Sequence, residues 1–159
     1  MHIHTKYLGE MEIEDNKMIH FSVGLPGFIG ETEFVLLDLP DNPVFQVLQS
    51  VLNVNTAFIV TNPYHFYQDY SFELEDSLLK SLHILSEKDV VILTIVTLKD
   101  PFHESTLNLK APVIINSASK KGKQYIINRD EIPVQAPITP GNFSKVGVNN
   151  YACFNKKAK

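Results

Sequence analysis

Histidine is the residue type in this sequence best able to bind a metal ion, and the chain has six. His2 and His4 lie two positions apart, so they would share one face of a β-strand. A zinc site needs three or four ligands, and these usually come in motifs such as Cys-x-x-Cys or His-Glu-x-x-His. Neither motif is present, and the other histidines are scattered. The sequence therefore predicts no metal site.

Cys153 is the single cysteine and thus the one candidate for a thiol nucleophile. A reactive thiol needs a nearby base or cation that lowers its pKa, whereas Cys153 is surrounded by asparagines at positions 149, 150 and 155. The sequence also contains no glycine-rich phosphate loop and no Gly-x-Ser-x-Gly elbow. We therefore expect no enzymatic activity and no cofactor. A Ser, His and Asp set assembled across the fold is the open alternative.

Carboxylates are concentrated between Asp69 and Asp76, which we call the acidic segment. Polar and apolar residues alternate along it, so in a β-strand the acidic side chains would share one face. No lysine or arginine occurs from residue 62 to residue 79 to neutralise them. Exposed carboxylates attract basic partners and accelerate their encounter. We predict a protein-binding site whose contacts include Asp69, Tyr70, Glu73, Glu75 and Asp76; the alternative is a solvated strand face.

A cluster of three lysines, Lys120, Lys121 and Lys123, raises the possibility of RNA binding. Barrels that bind single-stranded nucleic acid place aromatic rings beside such charges, so that bases can stack on them. Only Tyr125 lies near the cluster. A charged turn around Gly122 explains the lysines better, and we expect no direct binding of nucleic acid.

Charge is distributed unevenly along the chain of 159 residues. Residues 1–76 hold twelve acidic residues and two lysines, a net charge of -10, whereas residues 77–159 hold twelve basic and six acidic residues, a net charge of +6. An acidic surface repels nucleic acid and attracts basic proteins. The alternative is that the opposite charges mix in three dimensions.

The sequence favours a cytoplasmic protein without a membrane segment. The longest apolar run, Val90 to Val96, is far shorter than the roughly 18 residues that cross a bilayer. His2, His4 and Lys6 interrupt the region where a secretory signal would need its apolar stretch. A lone cysteine cannot form an intramolecular disulfide, which fits a reducing compartment.

Short apolar runs separated by turns dominate the chain and indicate β-strands. The clearest strands are Phe34 to Leu39, Val44 to Leu52, Thr56 to Thr61, Val90 to Leu98, Val113 to Ile115 and Gln124 to Asn128. A first hairpin is predicted to turn at Asp15 to Lys17. The single clear helix covers about residues 77–85, because Leu78, Leu82 and Leu85 form an apolar stripe.

These elements predict a mainly β protein: a single-domain antiparallel β-barrel-like sheet with one short helix. We expect residues 1–138 to form this domain. Residues 139–159 form a weakly structured basic C-terminal tail in the same prediction, because turn residues break the pattern after about Pro137.

Several strings, in order and spacing, resemble the family of the bacterial flagellar assembly factor FliW. The matching strings are Phe21-Ser22-Val23-Gly24-Leu25-Pro26-Gly27-Phe28, Leu48-Gln49-Ser50, Ala57-Phe58-Ile59-Val60 with Asn62-Pro63, Asp69-Tyr70, Thr106-Leu107-Asn108-Leu109-Lys110-Ala111-Pro112-Val113-Ile114-Ile115-Asn116, and Lys123-Gln124. They are mainly glycine, proline and apolar residues, so most of them determine the fold rather than contact a partner.

The resemblance implies a small β-barrel-like protein that binds CsrA, an RNA-binding translational repressor, and also binds flagellin. In this family free flagellin occupies the protein and leaves CsrA to repress flagellin translation, whereas export of flagellin allows CsrA to be captured. The alternative functions are those of a small β-barrel that binds a ligand or RNA. Residues after about Pro137 match nothing in the family pattern.

Overall fold

The structure is a computed structural model that describes residues 1–138; the predicted C-terminal tail and Cys153 lie outside the described residues. Within that range the chain forms one α-helix, α1 (Asp76–Ser81), and several short 3-10 turns. The strands are β1 (His2–His4), β2 (Glu10–Glu12), β3 (Ile19–His20), β4 (Glu33–Leu39), β5 (Asn42–Ser50), β6 (Ala57–Thr61), β7 (Val90–Thr97), β8 (Thr106–Leu107), β9 (Val113–Asn116), β10 (Lys121–Gln124) and β11 (Ala136–Pro137).

Seven of these strands close into a ring. Strands β3 to β7 pair in chain order, β7 also pairs with β9, β9 pairs with β10, and β10 returns to β3. The fold class is confirmed as mainly β with one helix, but the sheet is mixed, because β10 and β3 are parallel where Lys121 lies opposite His20. A ring with an odd number of strands cannot alternate in direction all the way round, so one parallel pair is unavoidable.

Strands β4 to β7 and β9 of the ring have buried or half-buried side chains on both faces, which explains their long apolar runs. In β4, Phe34 packs inside the ring with Leu48 and Leu93, while Val35 and Leu37 point outward. The outward side chains are covered by the β1–β2 hairpin, through Ile3 and the following Ile13. A third cluster, outside β7 and β9, is covered by the segment that contains α1 and by residues 105–138.

The N-terminal hairpin differs from the prediction. Strand β1 pairs with β2, so the turn lies at residues 5–9, where the Thr5 hydroxyl donates to the Gly9 carbonyl at 2.6 Å. Asp15–Lys17 forms a 3-10 turn that leads into β3. The alternation of acidic and apolar residues in β2 correctly predicts a strand, but this strand pairs with β1 and not with the segment after Lys17.

The helix is shorter than the predicted 77–85. It ends at Ser81 because His83 adopts φ of 56° and the His83 and Ile84 amides donate to the Lys80 and Leu79 carbonyls. This pair of bonds is the Schellman arrangement that closes a helix. The side-chain Nδ2 of Asn116, on β9, donates to the carbonyls of Leu82 and His83 and holds this end of the helix in place. Leu85 is therefore outside the apolar stripe and is 90% exposed.

Strand β10 begins earlier than predicted. Lys121 to Gln124 form the strand, so Gly122 is not a turn tip; it faces the ring interior against the Phe21 side chain. A Cβ at Gly122 would lie 2.6 Å from Cζ of Phe21. The predicted strand at Gln124 to Asn128 was wrong: the strand begins three residues upstream, where the close approach to Phe21 favours a glycine.

Candidate protein-binding site

The acidic segment is not a strand, contrary to the prediction. Residues 70–75 have no strand partner, and the segment runs from the turn after β6 to the start of α1. Side chains rather than a hydrogen-bonded ladder attach it to the outer cluster beside β7 and β9: Tyr70, Phe72 and Leu74 are all at most 2% exposed. Ser71, which the alternation placed on the wet face, is buried as well.

Tyr70 is a core residue, so its place among the predicted partner contacts is corrected. Its hydroxyl donates to the Leu109 carbonyl at 2.5 Å, and its ring packs near Tyr64 and Phe72 at centroid distances of 5.7 and 5.4 Å. Burying a tyrosine that keeps its hydroxyl hydrogen-bonded combines a large apolar contact with no lost polar partner. Tyr70 therefore anchors the acidic segment, and the exposed candidates are the four carboxylates.

Asp69, Glu73, Glu75 and Asp76 are all exposed. Within residues 1–138 none of the four forms an ion pair. Glu73, Glu75 and Asp76 follow one another closely where the segment enters α1, and acidic groups are favourable at the start of a helix. The structure thus brings three of the predicted residues into one exposed acidic stretch, with Asp69 at its other end.

Tyr125 is a member of this site that sequence reasoning left aside. Its hydroxyl donates to Oε1 of Glu75 at 2.6 Å, and its ring stacks on Phe72 at 6.2 Å with an interplanar angle of 27°. Burial of the phenol raises its pKa, and the hydrogen bond to Glu75 and the charges of Glu75 and Glu73 raise it further. Tyr125 therefore stays neutral and holds Glu75 in a fixed direction without cancelling its charge.

Arg129 is a cation that contacts the backbone of the acidic segment. Its Nη1 donates to the Ser71 carbonyl at 3.4 Å, while Nε and Nη2 bind Oε2 of Glu131 at 2.9 and 2.8 Å. Glu131 thus forms an ion pair with Arg129, and a backbone hydrogen bond, followed by the hydrogen bond from the Arg129 guanidinium, lowers the pKa of Glu131. Neither Tyr125 nor Arg129 could be found from the local pattern, since they lie about 50 residues from the segment.

Within the described residues 1–138, the acidic first half of the sequence and residues 77–138, which hold eight basic and six acidic residues, occupy separate arcs of the ring. Strands β3, β4, β5 and β6 come from residues 1–76, and β7, β9 and β10 come from residues 77–159. The ring therefore keeps the halves side by side instead of interleaving them. The acidic segment crosses from the first arc to the second, because it connects β6 to α1 and packs on β7 and β9.

The other candidate groups occupy different places. His2 and His4 face Glu12 and Glu10 across the hairpin, with nitrogen–oxygen distances of 2.9 and 3.7 Å, and no group of three metal-binding side chains occurs in residues 1–138. Of the basic cluster, Lys121 and Lys123 lie on β10, and Tyr125, the ring that could have stacked on a base, is packed on Phe72.

Two surface cavities could admit a small ligand. The larger, of about 460 Å³, lies between the start of β5, the turn after β6 and the start of β7, and it contains Asp38 and His65. The smaller, of about 200 Å³, opens at one mouth of the ring, where Lys17 and Lys120 border Ile19 and Ile115. In the part of the chain that the structure describes, no helix has the length and hydropathy of a bilayer span.

A sequence model described as FliW protein matches residues 2–138 of this chain. A protein of Oceanobacillus iheyensis named flagellar assembly factor FliW is 51% identical over 138 residues, covering 87% of this chain and 94% of that protein. The protein of the same name from Bacillus subtilis is 41% identical, covering 87% and 96%. A crystal structure titled flagellar assembly factor FliW superposes with a TM-score of 0.84 at 36% identity, over 88% of this chain and 98% of that one.

Proposed function

The chain belongs to the FliW family of flagellar assembly factors, and we propose that it acts by sequestering the translational repressor CsrA through the acidic segment, in competition with flagellin. The name of these relatives, flagellar assembly factor, describes a binding role rather than a catalytic one. In this proposal the protein works in the cytoplasm, where CsrA and unexported flagellin are both present. Capture of CsrA relieves repression of flagellin translation, and occupation by free flagellin, which the protein would then hold as a chaperone does, restores it.

The observation that carries this proposal is a set of exposed carboxylates on a rigid support. Glu73 and Glu75 have no cationic partner in residues 1–138, and buried Phe72 and Leu74 flank them. Side chains held in place before binding lose less entropy when a partner arrives. A basic RNA-binding protein offers the complementary charge, and complementary charge raises the rate of encounter and fixes orientation.

Charge reversal at the acidic segment tests the proposal. The double variant Glu73→Lys with Glu75→Lys should weaken CsrA binding about tenfold or more and remove most of its salt dependence, because two attractive charges become repulsive. The measurement is isothermal titration calorimetry of purified CsrA into each variant at two ionic strengths. Circular dichroism and the melting temperature establish that the fold survives.

The matched control is Glu10→Lys with Glu12→Lys, on β2. It has the same spacing and the same change in net charge, and both carboxylates are exposed, but they lie on the N-terminal hairpin, where they pair with the N-terminal ammonium, His2 and His4; the melting temperature shows whether losing these pairs disturbs the fold. Tyr125→Phe removes the hydrogen bond that fixes Glu75 while leaving its charge, so it should weaken CsrA binding less than the double charge reversal does. Equal losses in the two double variants, or no loss in either, would refute the acidic segment as the CsrA site.

A further inference from the structure

The two mouths of the ring differ in how they are covered. At one mouth the loop between β3 and β4 closes the interior, because Leu25 packs into the interior cluster with 1% of its surface exposed. The ring of Phe28, from the same loop, meets that of Phe58 edge-to-face at 5.3 Å. The outermost interior side chains at the other mouth are Ile19, Leu36, Val91 and Ile115. Leu36 and Val91 are half-buried there, so the interior of the ring reaches solvent at this end.

The smaller cavity lies against these four side chains and continues the interior of the ring. They belong to four different strands, β3, β4, β7 and β9, so the wall of the cavity is apolar on several sides. Its volume is about 200 Å³. Since a water molecule occupies about 30 Å³, the cavity holds roughly six or seven non-hydrogen atoms. That is room for a short hydrocarbon chain, and the mouths of β-barrels are common sites for such ligands.

Two lysines, Lys17 and Lys120, border the same cavity. Lys17 precedes β3 and Lys120 precedes β10, so the pairing that closes the ring also brings these distant residues to one cavity; there the His20 amide donates to the Lys120 carbonyl at 2.8 Å. Within residues 1–138 neither ammonium forms an ion pair, and none of the residues that line this cavity is acidic. Two cations without a counterion create a positive potential at an apolar opening, which attracts an anion.

The turn that carries Lys120 does not need a lysine. Its φ of 58° lies in the left-handed region, which is costly for an L-residue and free for glycine. The turn is formed by other groups: the Lys120 amide donates to the Asn116 carbonyl at 2.9 Å, and Oδ1 of Asn116 accepts from the Ala118 and Ser119 amides at 2.9 and 3.2 Å. The lysine side chain therefore adds nothing to the turn, and its charge is directed to the cavity.

The other polar groups near the cavity are already engaged. The Ser117 hydroxyl donates to the Asp89 carbonyl at 3.1 Å. Asp38 lies in the larger cavity, which shares Val91 with the smaller one, and its Oδ1 accepts from Nε2 of Gln46 at 2.8 Å. Because the Asp38 carboxylate repels an anion on its side of the mouth, the anionic group of a ligand belongs at the two lysines.

We propose that the open mouth of the ring binds a small amphiphilic anion, a carboxylate with an apolar chain of about six carbons. The chain covers Leu36 and Val91, and the carboxylate remains at the entrance, where Lys17 and Lys120 supply charge-assisted donors. The phosphate groups of a nucleic acid would use the two charges but leave the apolar wall exposed, so the cavity favours the carboxylate. The site is separate from the acidic segment, and this inference goes beyond the proposed function and does not depend on it.

The test titrates hexanoate into the full ¹⁵N-labelled chain and follows the amide chemical shifts by NMR. Three further probes separate charge from chain: hexylamine has the same chain with a cationic head, acetate has the same head with almost no chain, and inorganic phosphate has charge alone. Shifts with hexanoate should concentrate at residues 17–19, 36, 91 and 115–120. Hexanoate should bind about tenfold or more tightly than each of the other three, because only it uses both the wall and the lysines.

Variants of the lysines test the charge. Lys17→Gln with Lys120→Gln should weaken hexanoate about tenfold or more. The matched control, Lys80→Gln with Lys99→Gln, makes the same change in net charge at two exposed lysines that line neither cavity, and it should leave hexanoate binding unchanged. Lys120→Gly alone should weaken hexanoate while leaving the melting temperature unchanged or raised, since glycine relieves the positive φ. A purely structural role of Lys120 predicts no loss of binding.

A variant of the wall tests the cavity. Leu36→Ala enlarges the space against which the chain packs, so the affinity for octanoate relative to hexanoate should rise about threefold or more, as additional methylene groups become buried. Asp38→Asn removes the carboxylate from the neighbouring cavity and should leave hexanoate binding unchanged or tighter. An unchanged preference between the two chain lengths in Leu36→Ala would contradict the placement of the chain.

Several results would overturn the proposal. Absence of shifts at the cavity residues, or equal affinity for hexanoate and hexylamine, would show that the mouth does not select an anion. Phosphate binding as tightly as hexanoate would show that the apolar wall contributes nothing. Equal effects of the two double lysine variants would show that net charge alone is responsible. Displacement of hexanoate by a single-stranded oligonucleotide that binds more tightly, and loses affinity in the Lys17/Lys120 variant, would assign the lysines to nucleic acid instead.

Discussion

Replacing Gly24 by alanine should destabilise the protein more than the same replacement at Gly27, three residues along the same loop. Both glycines have positive φ, 67° for Gly24 and 84° for Gly27, which costs an L-residue roughly 1–2 kcal/mol. Their surroundings differ. A Cβ at Gly27 would meet no atom within 4 Å, whereas one at Gly24 would lie 2.6 Å from the Ile29 carbonyl oxygen and 2.7 Å from that of Phe28.

The magnitude follows from that difference. Because the atoms facing Gly24 are backbone, the loop itself must shift, and overpacking of this kind costs about 1–3 kcal/mol. We therefore expect a loss in the free energy of unfolding of about 1–2 kcal/mol for Gly27→Ala and about 2–5 kcal/mol for Gly24→Ala. Alanine also stabilises by restricting the unfolded chain, by about 0.4–1 kcal/mol, but equally at every position. Gly30→Ala, with open space and no positive φ, measures that contribution alone.

The assay is urea unfolding of the three variants, followed by fluorescence or circular dichroism, with the slope of free energy against urea checked for constancy. Melting temperatures should fall by about 2–4 °C for each kcal/mol lost. The expected order of stability is Gly30→Ala, then Gly27→Ala, then Gly24→Ala. If Gly24→Ala were no worse than Gly27→Ala, the loop would not be held by the close approach of Gly24 to Ile29.

Two further predictions concern the core. Gly122→Ala should lower the free energy of unfolding by about 1–3 kcal/mol, because the new methyl meets the fully buried Phe21 ring. Urea unfolding measures this loss, and Phe21→Leu in the same chain should recover part of it. A neutral result would contradict the packing described for β10. Burial raises the pKa of Tyr67 to about 12, above an unfolded value near 10, so its contribution to stability is complete below pH 10 and is lost as pH rises to about 12. Melting temperatures between pH 9 and 12 should therefore fall less steeply for Tyr67→Phe than for the wild type, and equal slopes would contradict this assignment.

The strands of the barrel were predictable where local pattern determines them. Strands β4, β5 and β6 alternate or run apolar between turn residues, and the structure places them within a few residues of the prediction. The sequence did not predict which strands close the ring, because β3 and β10 are short segments that lie about 100 residues apart. The end of α1 was not predicted either, because nothing in the sequence marks His83 as a residue with positive φ.

The candidate site was predictable only in part, for a related reason. The alternation at residues 69–75 does separate the exposed Glu73 and Glu75 from the buried Phe72 and Leu74. The same pattern puts Tyr70 on the apolar side, where the structure buries it, so its assignment as a contact went against the pattern. Ser71 departs from the alternation because the segment is packed against a cluster and is not paired in a sheet. The role of Tyr125 depends on a contact 50 residues away.

The central claim is that the chain binds CsrA and that flagellin displaces it, and a competition titration tests this most directly. Purified CsrA is titrated into the full chain by calorimetry, alone and with increasing concentrations of monomeric flagellin. The account predicts a complex with CsrA whose apparent affinity falls in proportion to added flagellin. Absence of binding, or a CsrA affinity that flagellin does not change because all three proteins bind together, would contradict it.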